Sequence, residues 1–562
     1  MGQADFPGKT AAGFGFRHES CSIGKIGLKT WVQQAERKSN LKERFIIVFL
    51  AGAVSLRGGD LDTTGVTLLR QIDPTLNGSG VRVGHTESPV SGSTPPPFEV
   101  NPAAAGQPTN LFTWISSIGT ATSYTNSVGT ESWHANLVGE NFYGIPGGIA
   151  TNVNHVDNYE ASWFFNHYIY NGLSISARVV NQSFIFIPLY EVLVNTNYDN
   201  YAARYGTIFV SANGGTNDVK PICAPGTSYN GISVGAYNAF SLPGPTTDGR
   251  CKPDIVAPDQ AQFPGGAASY TTPYVSGSAA VLVQAANRGD GGADTNAAGD
   301  LRTIKALLLN GAIKPGDWTN GTATPLDARY GAGVVNVFNS WKQLKGGQHD
   351  FIESTTNNGG GAHPPGANTN NEAALTGWDY NSITNSGSGS NRKEQVNHYY
   401  FNLPAGSNNV FTLTATLVWN KQNGATAINN LNLFLYNAGN SNLVACSTSA
   451  VDNVEHIFLP TLAAGRYDLQ VLKSTNTWVS AGETYALAFE IFNLPLSVGL
   501  TNKNSVISWP VSPTGFQLQS AAGLNPPVSW TDVTNAVALT SNQNVVSLSA
   551  GSGIRFFHLK RP

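Results

Sequence analysis

The hydrophobic periodicity of the chain changes near residue 346, and that change limits the folds open to it. Upstream, short β-branched segments alternate with segments of helical spacing. The expected strands lie at 81–85, 178–180, 207–210 and 231–234, and the clearest expected helices at 272–286 and 301–309. Such alternation predicts an α/β region, with a parallel sheet and helices on both of its faces.

Downstream of the change, apolar and polar residues alternate with a period of two. Leu413, Ala415 and Leu417 are separated by threonines, and Leu431, Leu433 and the segments 467–471 and 487–491 repeat the pattern. We therefore predict an antiparallel β-sandwich followed by a small C-terminal β module. The expected divisions are a leader at 1–57, the α/β domain at 58–345, a Gly/Asn/Pro-rich linker at 346–376, the sandwich at 377–493 and the module at 494–562.

Charge argues against nucleic acid as a main partner. The 562 residues include 32 Lys+Arg against 35 Asp+Glu, a net charge of −3, and only 12% of residues are charged. A chain without a basic surplus has little with which to neutralise phosphates. A surface poor in charge and rich in Asn, Thr, Ser and Gly favours an exported protein. We expect this protein to be a monomer.

One segment predicts export more directly. Lys38, Lys42 and Arg44 precede the apolar run 45–56, which ends in small residues and is typical of a signal peptide. The run is shorter than the roughly 20 residues that span a bilayer, so no membrane span is expected. If it is a signal peptide, residues 1 to about 40 precede the true start of translation. The alternative is a buried strand.

The cysteines are few and match no zinc-binding spacing. Cys21 falls in the leader, and Cys446 falls in the expected sandwich. Cys223 and Cys251 lie in loop-like segments of the α/β domain and could form a disulfide after export, a pairing that the sequence leaves open.

Candidate catalytic residues lie in the α/β domain. Ser269 stands just before a helix that has Pro273 near its start, so its backbone N–H and the helix dipole could stabilise an oxyanion. His134 opens another expected helix, and Glu87 ends an expected strand. Because sites in parallel sheets gather at the carboxyl ends of strands, these side chains could converge.

These segments resemble the subtilisin-like serine peptidases. The run Ser269-Tyr-Thr-Thr-Pro-Tyr-Val-Ser-Gly is similar to the Ser-Met-Ala-Thr-Pro-His-Val-Ala-Gly of that family, and Lys-Pro-Asp-Ile-Val-Ala-Pro precedes it. The chain order of carboxylate, histidine and serine is also the order of that family. The resemblance covers about half of the chain and implies a subtilisin-like fold.

The resemblance implies acyl transfer to Ser269, with His134 as the base and Glu87 as the group that orients it. Segment 209–215 is similar to the one bearing the oxyanion-hole asparagine, which would be Asn213, with Asn217 as an alternative. Segment 179–184 is similar to the strand that lines the substrate cleft. The implied substrate-binding residues are Ser183, Phe184, Val210, Ser211 and Ala212.

Two departures from the family pattern keep a second interpretation open. The family has Asp where this chain has Glu87, and Gly-Thr where it has Ala267 and Ala268. The first reading is a secreted endopeptidase acting on proteins or peptides. The alternatives are a catalytically silent scaffold that binds peptides or adheres to surfaces, and a structural surface protein whose β modules carry the function.

No cofactor is implied, and the remaining polar residues are expected to be structural. Many relatives bind calcium, but Asp290, Asp294 and Asp300 do not have the spacing of a calcium loop. His85, two residues before Glu87, is interpreted as structural. The segment 447–456, ahead of 465–471, resembles the sandwich that follows many secreted bacterial subtilases.

Overall fold

The structure of the chain is a computed structural model. Strands are numbered β1–β28 and helices α1–α8 in chain order. The structure describes residues 16–17, 60–89, 91–214, 222–237, 241–258, 268–357, 371–405, 410–476, 478–493, 496–501, 504–511, 515–523, 528–540, 543–549 and 555–560. The signal-peptide-like run, Cys21, Asn217 and Ala267 lie outside these residues.

The α/β domain is built on one eight-stranded sheet with the order β12-β11-β10-β8-β2-β7-β4-β5. Every neighbouring pair is parallel except β4 and β5, which form an antiparallel edge. The strands are β2 (Arg82–Glu87), β4 (Phe112–Ser116), β5 (Gly119–Ala121), β7 (His155–Glu160), β8 (Val179–Gln182), β10 (Ile208–Ala212), β11 (Ile232–Ala236) and β12 (Ile255–Ala257). The predicted parallel sheet is confirmed.

Eight helices and a further helical turn at 60–63 accompany this sheet in the described residues. The helices are α1 (Val66–Ile72), α2 (Trp133–Phe142), α3 (Ala161–Trp163), α4 (Glu191–Tyr205), α5 (Ala268–Asn287), α6 (Thr295–Gly299), α7 (Leu301–Asn310) and α8 (Val337–Lys345). A π-helical segment (Phe164–Ile169) continues α3, and single 3₁₀ turns occur at Thr109–Leu111, Pro188–Tyr190 and Gly389–Asn391.

Two consecutive residues of β8 show that helices cover both faces of the sheet. Asn181 accepts a hydrogen bond from Ser276 of α5 at 2.8 Å, and Gln182 donates one to Tyr198 of α4 at 2.6 Å. Since successive side chains of a strand point to opposite faces, α4 and α5 lie on opposite sides of the sheet. The two-faced layout predicted from the alternation is therefore confirmed.

Helix α5 is the central helix of the domain, and it starts earlier than the sequence predicts. It begins at Ala268 instead of residue 272, so Pro273 lies inside the helix and Ser269 lies in its first turn. It is buried from Ala268 to Ala286, which its many small residues allow. Gly277 leaves no room for a side chain, because an added Cβ would lie 2.6 Å from Ile149.

Two pairs of short strands lie outside the main sheet. β3 (Pro97–Glu99) pairs with β6 (Thr130–Glu131) just before α2. β1 (Phe16–Arg17) pairs antiparallel with β9 (Ile185–Phe186), so part of the expected leader contacts the α/β domain.

The predicted sandwich is present as two antiparallel sheets. One has the order β14-β21-β16-β19 and the other β13-β15-β20-β17-β18. The strands are β13 (Glu353–Asn357), β14 (Thr376–Thr384), β15 (Glu394–Leu403), β16 (Val410–Trp419), β17 (Leu431–Asn437), β18 (Leu443–Ser447), β19 (Val454–Ala463), β20 (Gly465–Lys473) and β21 (Gly482–Asn493). β13 falls inside the segment interpreted as a linker. The polar sequence of this segment did not indicate a strand, because backbone pairing with β15 does not require apolar residues.

The sandwich packs directly on the α/β domain. Asn310, at the end of α7, accepts hydrogen bonds at 2.9 Å from Thr414 and Thr416 of β16. Trp378 and Val418 belong to the same hydrophobic cluster as the core of the α/β domain. The two units therefore share a buried core.

The C-terminal module contains two further sheets, β22-β23-β27-β26 and β25-β24-β28. Its strands are β22 (Ser497–Thr501), β23 (Asn504–Pro510), β24 (Gln517–Ala521), β25 (Thr531–Asp532), β26 (Ala538–Thr540), β27 (Gln543–Ser549) and β28 (Phe556–Lys560). They enclose a small core that includes Ile507, Trp509 and Leu518.

The disulfide that the sequence left open is not formed. Cys223 and Cys251 are both buried and are thiols in the structure, as is Cys446. Within the described residues, no helix has both the length and the apolar character needed to cross a lipid bilayer.

Glu490 of β21 provides a test of the shared core. It is 1% exposed, pairs with Lys342 of α8 and accepts a hydrogen bond from Gln343 at 2.9 Å. We expect Glu490→Ala to lower the free energy of unfolding by about 2–4 kcal/mol, because it leaves the buried amide N–H of Gln343 without an acceptor and removes the carboxylate that pairs with Lys342. Urea denaturation of the full chain measures this loss.

The matched control is Asp62→Ala, which removes an exposed carboxylate. Its effect should stay within about 0.5 kcal/mol. A Glu490→Ala protein as stable as the control would show that the interface contributes little.

Candidate active site

Three neighbouring strands of the main sheet end beside one another and carry candidate residues. β10, β8 and β2 are adjacent, and Asn213 and Ser183 directly follow the first two. Glu87 is the last residue of β2. The carboxyl ends of parallel strands form one edge of the sheet, so the fold gathers these residues where α/β proteins place their sites.

The closest contact at this edge joins Glu87 and His134. Glu87 Oε1 lies 2.7 Å from His134 Nδ1, and both side chains are buried. A buried carboxylate at this distance favours a proton on Nδ1, so that Nδ1–H donates to Glu87 and Nε2 is the accepting nitrogen. The pair therefore fixes both the tautomer and the orientation of the imidazole.

The position of His134 depends on the start of α2. Ser132 caps this helix, and its hydroxyl oxygen accepts from the Ala135 N–H at 3.3 Å. The Ser132 N–H donates to the Glu99 carbonyl oxygen of β3 at 2.9 Å. His134, the second residue of the helix, is thus held by a capped helix end tied to a neighbouring strand.

Ser269 is fastened to the end of β8. Its Oγ donates to the Ser183 carbonyl oxygen at 3.2 Å, and Ser183 Oγ donates to the Ser269 carbonyl oxygen at 2.8 Å. The Tyr270 ring lies 5.6 Å from the His134 ring, centroid to centroid. The residue after Ser269 therefore contacts the histidine ring, and the hydroxyl of Ser269 itself bonds to a backbone carbonyl.

Asn213 is fully buried at the end of β10. Its Nδ2 donates to the Leu242 carbonyl oxygen at 2.7 Å, while the buried Oδ1 has no hydrogen-bond partner among the residues that the structure describes. The side-chain amide has two N–H groups, so the second can serve another acceptor.

The residues expected to line the cleft divide into two groups. Ser183 contacts Ser269 directly, as described above. Phe184 and Val210 belong to the hydrophobic core, Ala212 is buried, and Ser211 Oγ donates to Gln182 Oε1 at 2.9 Å. Their side chains pack in the interior of the domain, and their assignment to substrate binding stays a prediction.

The sequence did not predict the contacts of His85 or the aromatic residues around the pair. His85 is fully buried, and its Nε2 lies 3.7 Å from Glu87 Oε2. Its Nδ1 lies 2.9 Å from the Tyr143 hydroxyl. Trp133 is 48% exposed and its ring lies 5.7 Å from the His134 ring. The i, i+2 spacing of His85 and Glu87 was the available signal, because it places both on one face of β2.

The acidic residues considered for calcium have other roles. Asp290 bonds to Arg288 and to the indole of Trp341, Asp294 caps α6, and Asp300 caps α7. Among the described residues, no group of three or more His, Cys, Asp or Glu side chains is arranged to hold a metal ion.

Comparison with known proteins found a family match inside the α/β domain. Residues 160–333 match the model of the subtilase family. This match agrees with the resemblance of the motifs. The matched residues contain Ser183, Asn213 and Ser269, whereas Glu87 and His134 lie upstream of them.

Individual relatives are distant. Pyrolysin of Pyrococcus furiosus is 29% identical over 194 residues, which cover 26% of this chain and 13% of pyrolysin. Fervidolysin of Fervidobacterium pennivorans is 12% identical, covering 87% of this chain and 79% of its own, with a TM-score of 0.37. A protease of Pseudoalteromonas arctica is 19% identical, covering 48% of this chain and 92% of its own, with a TM-score of 0.33.

Glu99 provides a test of the contact between β3 and the start of α2, because its carbonyl oxygen accepts from the Ser132 N–H. Burial raises the pKa of its carboxyl group from 4.5 to about 7. The folded protein therefore keeps a proton that the unfolded chain releases, and this carboxyl group destabilises the fold as the pH rises from 4.5 to about 7. We expect the Tm of Glu99→Gln to exceed that of the wild type increasingly over this range, with a constant difference at higher pH.

Glu131 is the matched control with the opposite sign. Burial acts to raise its pKa, but hydrogen bonds from Asn136, Tyr124 and Asn101 outweigh burial and lower it. Glu131→Gln should therefore lose stability relative to the wild type above the usual glutamate pKa. Parallel pH profiles for the two variants would contradict the assignment.

Proposed function

We propose that this chain is a subtilisin-like serine endopeptidase that hydrolyses peptide bonds of proteins through an acyl-enzyme. Ser269 would be the nucleophile, His134 the general base and Glu87 the carboxylate that orients it. The 2.7 Å contact between Glu87 and His134, at the sheet edge beside the first turn of α5, carries this proposal. The match of residues 160–333 to the subtilase family supports it.

The proposed reaction begins with attack of Ser269 Oγ on the carbonyl carbon of the peptide bond. His134 Nε2 takes the hydroxyl proton, and Glu87 stabilises the imidazolium through Nδ1–H. The imidazolium then returns the proton to the leaving amine. Water hydrolyses the ester by the same route in reverse. For this to happen, the Ser269 hydroxyl must leave the Ser183 carbonyl oxygen, to which it donates in the structure.

Two hydrogen-bond donors would stabilise the negative charge of the tetrahedral intermediate. Ser269 lies in the first turn of α5, where backbone N–H groups have no partner within the helix. The N–H of Asn213 that does not bond to Leu242 would be the second donor. Such pairs of donors typically contribute about a hundredfold or more to turnover.

Glutamate can replace the usual aspartate in this arrangement. The side chain of Glu87 is one methylene longer, and the structure absorbs the extra length while keeping Oε1 within hydrogen-bond distance of His134. The role needs only a carboxylate that accepts from Nδ1–H and stays ionised. We also propose that the protein is exported, on the basis of the signal-peptide-like run at 45–56.

A second candidate function is a catalytically silent scaffold that binds peptides. Two hydrogen bonds favour this function. The Ser269 hydroxyl donates to the Ser183 carbonyl oxygen at 3.2 Å, and an amide N–H of Asn213 donates to the Leu242 carbonyl oxygen at 2.7 Å. Ser269 is only 9% exposed. A protein with this resting geometry could retain the fold without the reaction.

Active-site labelling separates the two functions. A fluorophosphonate probe reacts with a serine that an adjacent base activates, so it should label the wild type and not Ser269→Ala. Casein hydrolysis should fall at least a thousandfold in the same variant. A well-folded wild type that neither takes up the label nor cleaves casein would favour the scaffold.

Two substitutions at Glu87 test the carboxylate. Glu87→Gln keeps the shape but cannot stabilise the imidazolium, so kcat should fall roughly 10³–10⁴-fold. Glu87→Asp restores the usual residue but shortens the reach to His134, and should cost roughly 10–100-fold because the surrounding backbone is built for the longer side chain. Activity of Glu87→Gln equal to that of the wild type would exclude Glu87 from the triad.

A further inference from the structure

Four buried side chains form a continuous row through the candidate active site. The Tyr143 hydroxyl lies 2.9 Å from His85 Nδ1, and His85 Nε2 lies 3.7 Å from Glu87 Oε2. Glu87 Oε1 lies 2.7 Å from His134 Nδ1. The carboxylate therefore stands between two imidazoles, of which only His134 has a role in the proposed reaction.

The backbone places His85 in this row. His85 and Glu87 are two residues apart in β2, so their side chains point to the same face of the sheet. His134 and Tyr143 come from α2 and the residue directly after it. Asn158 Nδ2 of β7 donates to the His85 carbonyl oxygen at 3.1 Å and fixes the backbone at this point.

The protonation of the row follows from its burial. Burial raises the pKa of Tyr143, so its hydroxyl keeps its proton and can donate to His85 Nδ1. Burial lowers the pKa of His85, so this imidazole is neutral and has one N–H. If Nδ1 accepts from Tyr143, the proton of His85 lies on Nε2, the nitrogen that faces Glu87.

We propose that His85 is a positioning residue that directs its Nε2–H at the second oxygen of Glu87 and so holds this carboxylate between two imidazoles. The inference rests on the proposed function. At 3.7 Å the two atoms are beyond ordinary hydrogen-bond distance, and the contact places an N–H dipole near a charge.

The length of Glu87 explains why this site needs such a contact. Glutamate has one more rotatable bond than aspartate, so more side-chain conformations must be excluded before its carboxylate can accept the hydrogen bond from His134. A donor on the far oxygen removes that freedom. It also lowers the basicity of the carboxylate, which limits how tightly the imidazolium of His134 is held.

The test compares His85→Leu, which removes the donor, with His85→Gln, whose side-chain amide can replace Nε2–H. The titratable groups that act on His85 are Glu87 on its own strand, and His134 and Tyr143 from the α2 region. For His85→Leu we expect kcat to fall roughly tenfold with little change in KM. The acid limb of the kcat/KM profile should move to higher pH by on the order of 0.5 unit, because a more basic Glu87 holds the imidazolium more strongly.

The remaining variants separate positioning from loss of packing. His85→Gln should recover most of kcat and the wild-type pH profile, and Tyr143→Phe should shift the profile in the direction of His85→Leu, by less. His155→Leu is the control, because His155 begins β7 at the opposite edge of the sheet. It should leave kcat and the pH profile unchanged.

The inference is overturned if His85→Leu has the kcat and pH profile of the wild type, or if His85→Gln is no better than His85→Leu. If His85→Leu does not fold, the comparison of His85→Gln and Tyr143→Phe with the wild type decides. If the wild type is inactive, the proposed function fails independently. The His134 pKa, measured by NMR in the Ser269→Ala background, must then still rise in His85→Leu for the positioning role to hold.

Discussion

The buried hydrogen bond between Glu87 and His134 is the interaction on which the site depends. A carboxylate and an imidazole removed from water must satisfy each other, because neither is stable alone in an apolar environment. Their 2.7 Å contact ties the end of β2 to the start of α2. It therefore fixes a strand and a helix in relation to each other, as well as the proton on one nitrogen. The chemistry we propose for Ser269 is possible only because that geometry is already in place.

The second organising constraint is the small-residue helix α5. Its glycine and alanine residues let it lie close to the strands of the main sheet and to α2. Because the helix begins at Ala268, Ser269 lies in its first turn and not in a loop before it. The reciprocal hydrogen bonds between Ser269 and Ser183 then join this first turn to the end of β8. Helix packing thus brings the serine to the same edge as the carboxylate and the histidine.

Much of the fold was readable from the sequence, and the reasons are specific. The strands at 81–85 and 207–210 were predictable because both segments are buried and contain β-branched residues. The chain order of Glu87, His134 and Ser269 followed from motif resemblance, and the structure brings the first two into contact. The strand at Glu353–Asn357 could not be predicted, because it pairs through its backbone within a stretch of polar composition.

The side-chain environment was the least predictable part of the site. Val210 and Phe184 were assigned to a cleft by resemblance, but whether a strand residue faces a groove or a core depends on which helix packs there. His85, two residues before Glu87, was interpreted as structural. Only the structure shows Tyr143 beside one of its nitrogens and Glu87 near the other. The sequence spacing shows that His85 and Glu87 share a face, but it cannot show which groups from α2 meet them.

The packing of the sandwich on α7 and α8 has a consequence for the way this protein is divided. A fragment that ends at residue 345 would leave the partners of Asn310 and Lys342 behind, and would expose to water the apolar surface that Trp378 and Val418 cover. Such a fragment would tend to aggregate, even though it contains every residue of the proposed triad. We therefore expect the α/β domain and the sandwich to fold as one unit, and a gene duplication or fusion that separated them would have to rebuild that surface.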